Sequence, residues 1–286
     1  MVPRKTTLPK KGLALNPGGS GPAKAHTKKP TPWKNYLVTF GFYAGIVGIW
    51  ELVCLLGIWP PHILPSPVSV AVTLYSGFED KSLLIGIGVS MQRLIIGYSI
   101  SVILGITVGL FLGRVRYLEH SLGSAVLGVQ TLPSICWVPV ATLWFGFGQV
   151  AIAFVVVIGS LFVIVISTQD GVKHIPPLLM KNASLLGIKG WRLYWEVILP
   201  GTLPAIVTGM KLGWSFAWRS LMGGELLFAN LGLGHLLNEG RVANDTSLLF
   251  AVMVVIVAIG LMVDHLVFAV VERSIKRRWG LLVEEH

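Results

Sequence analysis

The sequence predicts an all-α polytopic membrane protein. Of its 286 residues, 53% are hydrophobic and 13% are charged, whereas soluble globular domains carry about 25% charged residues. The mean hydropathy is +0.74, and the apolar residues gather in runs close to the roughly 20 residues that a helix needs to cross a bilayer. A soluble fold of this composition would expose large apolar patches, so we expect the chain to be embedded in a membrane.

Residues 1–34 are predicted to form a disordered basic cytoplasmic tail. They contain eight Lys or Arg residues among Pro, Gly and Ser, without the apolar run of a signal peptide. Anionic lipid headgroups would attract such a tail beside a membrane. The alternative is a solvated tail with no specific role.

Six apolar stretches are predicted to be transmembrane helices within a domain over residues 35–275, with a short cytoplasmic tail at 276–286. The six stretches are 36–58, 94–113, 121–145, 150–167, 203–222 and 247–271. Residues 83–93 are interpreted as an amphipathic or membrane-entering segment. In the second stretch Gly97, Ser101, Gly105 and Gly109 recur every four residues, which places them on one face and predicts close contact with another helix.

The third stretch is predicted to be a broken helix, because it contains both Pro133 and Pro139. Broken helices are tolerated within a membrane only where they face protein or a water-filled cavity. Gln130, Thr131 and Ser134 lie beside the first break and offer hydrogen bonds to a solute. The alternative is that the prolines are simple kinks.

The fifth stretch supplies further candidates for a translocation pathway. They are Lys211, Trp214, Ser215, Trp218 and Arg219, followed by Glu225. A cation inside a span is a functional candidate by default, and an anionic solute suits it. Glu225 is expected either to pair with Arg219 or to gate the outer mouth. The alternatives are tryptophans that pack between helices or at the interface, and a lysine that snorkels to the headgroups.

The basic residues cluster on one predicted side of the membrane. They occupy the N-terminal tail, the second and fourth connections and the C-terminus, whereas the other side has few. The positive-inside rule then places both termini in the cytoplasm. This distribution also explains a pI near 9.8 without a nucleic-acid partner.

The fourth connection, residues 168–202, is too polar to span and too patterned for a plain linker. Two short amphipathic helices are predicted at 177–186 and 191–199, the first ended by glycine and the second by Pro200. A rigid cytoplasmic helix pair is suited to docking in the groove of a soluble partner.

This connection resembles the EAA loop of binding-protein-dependent ABC permeases, whose pattern is E-A-A, three residues, G, nine residues and then I-x-L-P. The spacing agrees, while Lys181 replaces the glutamate, Asn182 the first alanine and Val197 the isoleucine. The resemblance implies a docking site for an ATPase. Its residues would be Lys181, Asn182, Ala183, Ser184, Leu185, Gly187 and Pro200.

Other stretches resemble the nitrate, sulfonate, taurine and bicarbonate branch of these permeases. They are residues 62–67 with Leu-Pro-Ser-Pro, residues 132–148, and residues 218–234 with Gly-Glu-Leu-Leu and Gly-Leu-Gly. The resemblance covers about residues 50–277 and does not identify which anion is carried.

The resemblance implies a permease subunit of an ATP-driven importer of a small anion in the bacterial inner membrane. Its implied partners are a second permease copy, two cytoplasmic ATPases that bind ATP and Mg²⁺, and a solute-binding protein. No cofactor or enzymatic activity is expected in this subunit, since the sequence has no G-x-x-x-x-G-K-[ST] phosphate loop. No metal is expected either, since the seven histidines are scattered without close spacing. The alternatives are a secondary transporter or channel, which often shows an internal repeat, and a membrane-embedded enzyme, which needs clustered acid–base residues.

Overall fold

The computed structural model describes residues 32–114, 123–228 and 231–278, and every regular element in them is helical. The helices are α1 (Pro32–Leu55), α2 (Pro67–Glu79), α3 (Ser82–Arg114), α4 (Ser124–Gln130), α5 (Val138–Phe145), α6 (Gln149–Lys173), α7 (Pro177–Leu185), α8 (Trp191–Leu193), α9 (Leu199–Leu227), α10 (Leu233–Val242), α11 (Thr246–Val263) and α12 (Ala269–Arg278). A 3₁₀ turn at Ser134–Trp137 precedes α5. Wide π turns at Tyr194–Ile198 and Asp264–Phe268 join α8 to α9 and α11 to α12.

The described residues contain five continuous helical segments long and apolar enough to cross a membrane. These are Leu37–Leu55, Ser82–Arg114, Gln149–Lys173, Trp191–Leu227 and Thr246–Ile275. A bent pair, Ser124–Gln130 with Ser134–Phe145, makes a sixth if it crosses as one span. The prediction of an all-α polytopic membrane protein is therefore confirmed. The predicted tails lie almost entirely outside the described residues.

The chain divides into two compact units, residues 1–48 and 49–286. The described part of the first unit is the beginning of α1. Its apolar side chains, such as Phe40 and Phe42, are exposed, as expected for a helix that faces lipid. The second unit contains the packed core and the site.

Helices α3, α6 and α9 form the core of the second unit, and small residues set their spacing. A Cβ on Gly97 would lie 2.8 Å from Val156, and one on Gly109 would lie 2.6 Å from Thr168. Between them, the Ser160 hydroxyl donates a 2.8 Å hydrogen bond to the Ser101 hydroxyl oxygen. The predicted small-residue face on the second span is confirmed, and it packs on α6.

Helix α9 also packs closely on α6, because glycines on α9 leave room for side chains of α6. A Cβ on Gly209 would lie 2.6 Å from Ser167, and one on Gly213 would lie 2.7 Å from Ile164. Because α6 contacts both neighbours, it is buried along much of its length, and Ile152, Val155 and Ile164 are completely buried.

The predicted second cytoplasmic helix is not a separate element. Its predicted end at Pro200 is wrong, because Trp191–Leu227 form one continuous helical segment. In the π turn the Leu199 amide donates to the Tyr194 carbonyl, five residues earlier. The hydrogen-bond pattern of the helix therefore leaves the usual i to i−4 spacing just before Pro200. The helix continues through Pro200 although the proline has no N–H to donate.

Three further differences concern helix length and number. Helix α3 begins at Ser82 rather than Leu94, so the predicted membrane-entering segment is part of the span itself. Helix α6 continues to Lys173, beyond the predicted end of the fourth span. Helices α2 and α10 were not predicted, since both are too short to read as spans.

Candidate functional site

The predicted break in the third span lies at Pro133. Helix α4 ends at Gln130, Pro133 adopts an extended conformation with ψ of 134°, and the chain resumes as a 3₁₀ turn. The two halves meet at 95°. Pro139 does not break the span, contrary to the prediction. It lies in the first turn of α5, where a helix has no partner for the proline N–H in any case.

A cavity of about 310 Å³ lies beside this break. It is lined by the broken helix, by α6 and by α9, and it is open on one side, where Thr131, Phe216 and Arg219 are exposed. The lining residues are Val129, Gln130, Thr131, Leu132, Pro133, Ser134, Trp137, Ile158, Gly159, Phe162, Val163, Phe216 and Arg219. We call it the break cavity. It brings together five of the predicted pathway residues, four from the break and Arg219 from α9.

Arg219 is the cation of the break cavity. Its Nε donates a 3.3 Å hydrogen bond to the Ser215 carbonyl, and its guanidinium lies 5.0 Å from the centre of the Phe216 ring. No carboxylate in residues 32–114, 123–228 or 231–278 lies within ion-pair distance of it. The positive charge at this cavity is therefore not neutralised by a carboxylate of the described chain.

Lys211 lies outside the cavity lining. Its Nζ forms a 3.1 Å ion pair with Asp264, and both side chains are about one-third exposed. Asp264 is the first residue of the second π turn, so the pair connects that turn to α9. The Ser215 hydroxyl donates back to the Lys211 carbonyl at 3.4 Å and does not line the cavity either.

The two tryptophans of α9 pack inside the protein. The Trp214 ring meets Tyr98 edge-on with 5.3 Å between ring centres, and Phe268 lies on another side. Trp218 is 8% exposed, and a Cβ on Gly260 would lie 3.8 Å from its indole Nε1. These contacts favour the packing interpretation of both residues over pore lining.

Glu225 is completely buried and pairs with Arg93, not with Arg219. Its Oε1 accepts a 2.9 Å hydrogen bond from Arg93 Nη1, so the predicted pairing with Arg219 is wrong. Its Oε2 accepts hydrogen bonds from the Ser90 hydroxyl at 2.7 Å and from the Gly234 amide at 3.0 Å. Arg93 also donates to the Leu231 carbonyl at 2.6 Å. We call this set the buried polar network.

The buried polar network joins α3, α9 and the start of α10. Glycine is required around it: a Cβ on Gly232 would lie 2.6 Å from the Glu225 carboxylate, and one on Gly234 would lie 2.5 Å from its Cβ. The prediction missed Arg93 because it placed that residue before the second span. The available signal was that a charge in an apolar helix is too costly to bury without a partner.

Helix α7 presents apolar side chains outside any candidate span. Leu185 is 84% exposed, and Leu178 and Leu186 are also exposed, whereas Ala183 is buried at 3%. Among the predicted docking residues, Lys181, Asn182, Ser184 and Gly187 are exposed as well. Ala183 is the buried residue of α7, so its side of the helix packs against the rest of the protein. Pro200 belongs to α9 and is partly buried.

Gly187 ends α7 in a left-handed conformation with φ of 70°. The Ile188 amide donates to the Ala183 carbonyl at 2.9 Å, and the Gly187 amide donates to the Ser184 carbonyl at 3.1 Å. This pair of bonds is the Schellman motif, which favours glycine at that position. The predicted glycine stop is confirmed.

Residues 101–279 match the family described as "binding-protein-dependent transport system inner membrane component". The chain belongs to this family. The matched residues contain the break cavity, α7 and Glu225, while Arg93 and Ser90 precede them.

Named relatives extend the similarity over most of the chain. A putative ABC transporter permease protein of Methanocaldococcus jannaschii is 31% identical over 237 residues, which cover 81% of this chain and 88% of the relative. The putative aliphatic sulfonates transport permease protein SsuC of Escherichia coli is 31% identical, over 82% and 90% of the two chains. The nitrate import permease protein NrtB of a Synechocystis species is 24% identical, over 78% and 84%.

A solved structure shows the same fold. A chain of the methionine ABC transporter MetNI in an inward-facing conformation superimposes with a TM-score of 0.61 at 17% identity. The match covers 68% of this chain and 96% of that chain.

Proposed function

We propose that this chain is the membrane-spanning permease subunit of an ATP-driven importer, forming the translocation pathway for a small anion of the nitrate, sulfonate, taurine or bicarbonate type. The observation that carries the proposal is the family match together with relatives named as permeases for aliphatic sulfonates, taurine and nitrate. The break cavity supports it, because it combines an interrupted helix with a cation that no described carboxylate neutralises.

The proposed partners are a second permease copy, two cytoplasmic ATPases and a solute-binding protein. ATP and Mg²⁺ would bind to the ATPases and not to this subunit. Nucleotide binding could then drive transport by favouring one of two permease arrangements over the other. With the broken pair as one span the number of crossings is six, so both termini would lie on the same side, and the clustering of basic residues makes that side the cytoplasm.

Helix α7 is the proposed contact with the ATPase. Exposed leucines on a short helix outside the spans are suited to burial in a groove of a soluble partner, and Leu185 is the most exposed of them. Replacing Ala183 would test the fold of this region rather than docking, because Ala183 is already buried.

Docking is tested by co-purification of the ATPase with Leu185→Glu. We expect the association to be lost, because a carboxylate would enter an apolar contact. Val242→Glu is the matched control: Val242 is an exposed apolar residue at the end of α10, on the face that we propose to be external. Equal association of both variants and the parent chain would refute α7 as the docking helix.

Transport is tested by anion uptake into vesicles that contain the permease, the ATPase and the binding protein. We expect uptake to require ATP and to fall at least tenfold in Arg219→Gln. Arg241→Gln, which removes an exposed cation of α10 that hydrogen-bonds to Asn238, should transport normally. Uptake that proceeds without the ATPase would favour the alternative of a secondary transporter or channel.

A further inference from the structure

The break cavity offers hydrogen-bond donors and no negative charge. Its lining contains one guanidinium, from Arg219, and no Asp or Glu. The Thr131 hydroxyl hydrogen is already donated to the Gly128 carbonyl at 2.7 Å.

An anion with at least two oxygens satisfies this donor set. A guanidinium binds a carboxylate or sulfonate through two parallel hydrogen bonds. A neutral solute would leave the Arg219 charge without a counter-charge.

The rest of the cavity is apolar and aromatic. Phe162 and Phe216 line it together with Val129, Leu132, Ile158 and Val163. Gly159 lets α6 approach α9 and the break closely beside the cavity, because a Cβ there would collide with the Ser220 hydroxyl and lie 3.2 Å from Ser134. The volume of about 310 Å³ falls in the range of sites for organic ligands, roughly 300–1,000 Å³.

Resting on the proposed function, we infer that the break cavity is a binding site for an organic anion with an apolar body and a terminal sulfonate or carboxylate. Nitrate or bicarbonate would engage Arg219 but leave most of the aromatic wall in contact with water. Taurine would place an ammonium group in a cavity that has no lining carboxylate. The permease would therefore contribute its own selectivity, in addition to that of the binding protein.

The test is calorimetric titration of the full chain in lipid nanodiscs with benzenesulfonate, benzoate, taurine and nitrate. We expect benzenesulfonate or benzoate to bind at least tenfold more tightly than taurine and nitrate. Comparing benzenesulfonate with benzoate identifies the preferred head group. Nitrate or taurine binding as tight as that of both organic anions would overturn the inference.

Two variants and one control assign the binding to this cavity. Arg219→Gln should weaken benzenesulfonate binding about 10- to 100-fold, as expected for hydrogen bonds to a charged group. Phe216→Ala should weaken benzenesulfonate more than nitrate, whereas Arg241→Gln should leave both unchanged. Benzenesulfonate affinity that is the same in Arg219→Gln and in the parent chain would reject the site.

The proposed binding site and the proposed importer function can each be refuted without refuting the other. If benzenesulfonate binds as expected but vesicles with ATPase and binding protein show no ATP-dependent uptake of any tested anion, the importer is rejected and the site stands. If ATP-dependent uptake occurs but benzenesulfonate does not bind to the permease, the site is rejected and the importer stands.

Discussion

Arg93→Met removes the positive charge of the buried polar network and leaves the carboxylate of Glu225 in place. The side chains of Arg93 and Glu225 are 5% and 0% exposed, so water cannot replace the lost partner. Removing one member of a buried ion pair typically costs about 3–5 kcal/mol. Because Ser90 and the Gly234 amide still donate to the carboxylate, we expect a loss near 3 kcal/mol, the lower end of that range.

The sharper prediction is that a second substitution restores stability. Glu225→Gln in the Arg93→Met background removes the uncompensated charge, and its carbonyl oxygen can still accept from Ser90 and Gly234. We expect the double variant to lose only about 1–2 kcal/mol relative to the parent chain, the cost of imperfect hydrogen bonds. It should therefore be more stable than Arg93→Met alone, although it carries one more substitution.

The assay is reversible unfolding in mixed detergent micelles, titrated with sodium dodecyl sulfate and followed by tryptophan fluorescence. The four proteins, parent, two single variants and double variant, form a double-mutant cycle. Hydrogen exchange of the amides around Gly234 should rise in Arg93→Met, since the network holds the start of α10. A double variant as unstable as the sum of the two single variants would refute charge pairing as the reason for the stability.

Three further predictions test the local packing and the second ion pair. Gly187→Ala should destabilise the end of α7 by about 1–2 kcal/mol, because its φ of 70° is unfavourable for a residue with a Cβ; thermal unfolding and ATPase association would both report it. Lys211→Ala and Asp264→Ala should show a coupling of about 0.2–1 kcal/mol in a double-mutant cycle, since the pair is about one-third exposed; additive losses would refute the pairing. Gly109→Leu should cost about 1–3 kcal/mol or prevent folding, because a Cβ there already lies 2.6 Å from Thr168. Gly88→Leu, on the same helix with no atom within 4 Å of the added Cβ, is its control and should unfold like the parent chain.

The features predicted correctly from the sequence are encoded within one or two helical turns. The four-residue recurrence of glycine and serine on α3, the break at Pro133 and the glycine stop of α7 each follow from local geometry. The all-helical class of the fold and the approximate positions of the spans follow from the apolar runs in the same way. The likeness of residues 181–200 to a permease motif also depends only on spacing along the chain.

The ion pairs could not be predicted in this way, since their partners are far apart in sequence. Arg93 and Glu225 are separated by 132 residues, and Lys211 pairs with a residue on another helix. Spacing identifies neighbours on the same helix and not contacts between helices. The expected stop at Pro200 failed for a different reason: a π turn shifts the hydrogen-bond register, and a proline rule based on the α-helix does not include it.

The pairing of charges indicates where an anion can be recognised. Three cations lie in the interiors of α3 and α9, namely Arg93, Lys211 and Arg219. Arg93 is neutralised by Glu225 and Lys211 by Asp264, so neither needs a ligand to offset the cost of its charge. Arg219 has no carboxylate within ion-pair distance in the described part of the chain, and it lines the cavity at the broken helix. Since a charge within the membrane is costly unless it is paired or functional, the residue that remains without a counter-charge is the one at which an anionic solute gains most by binding.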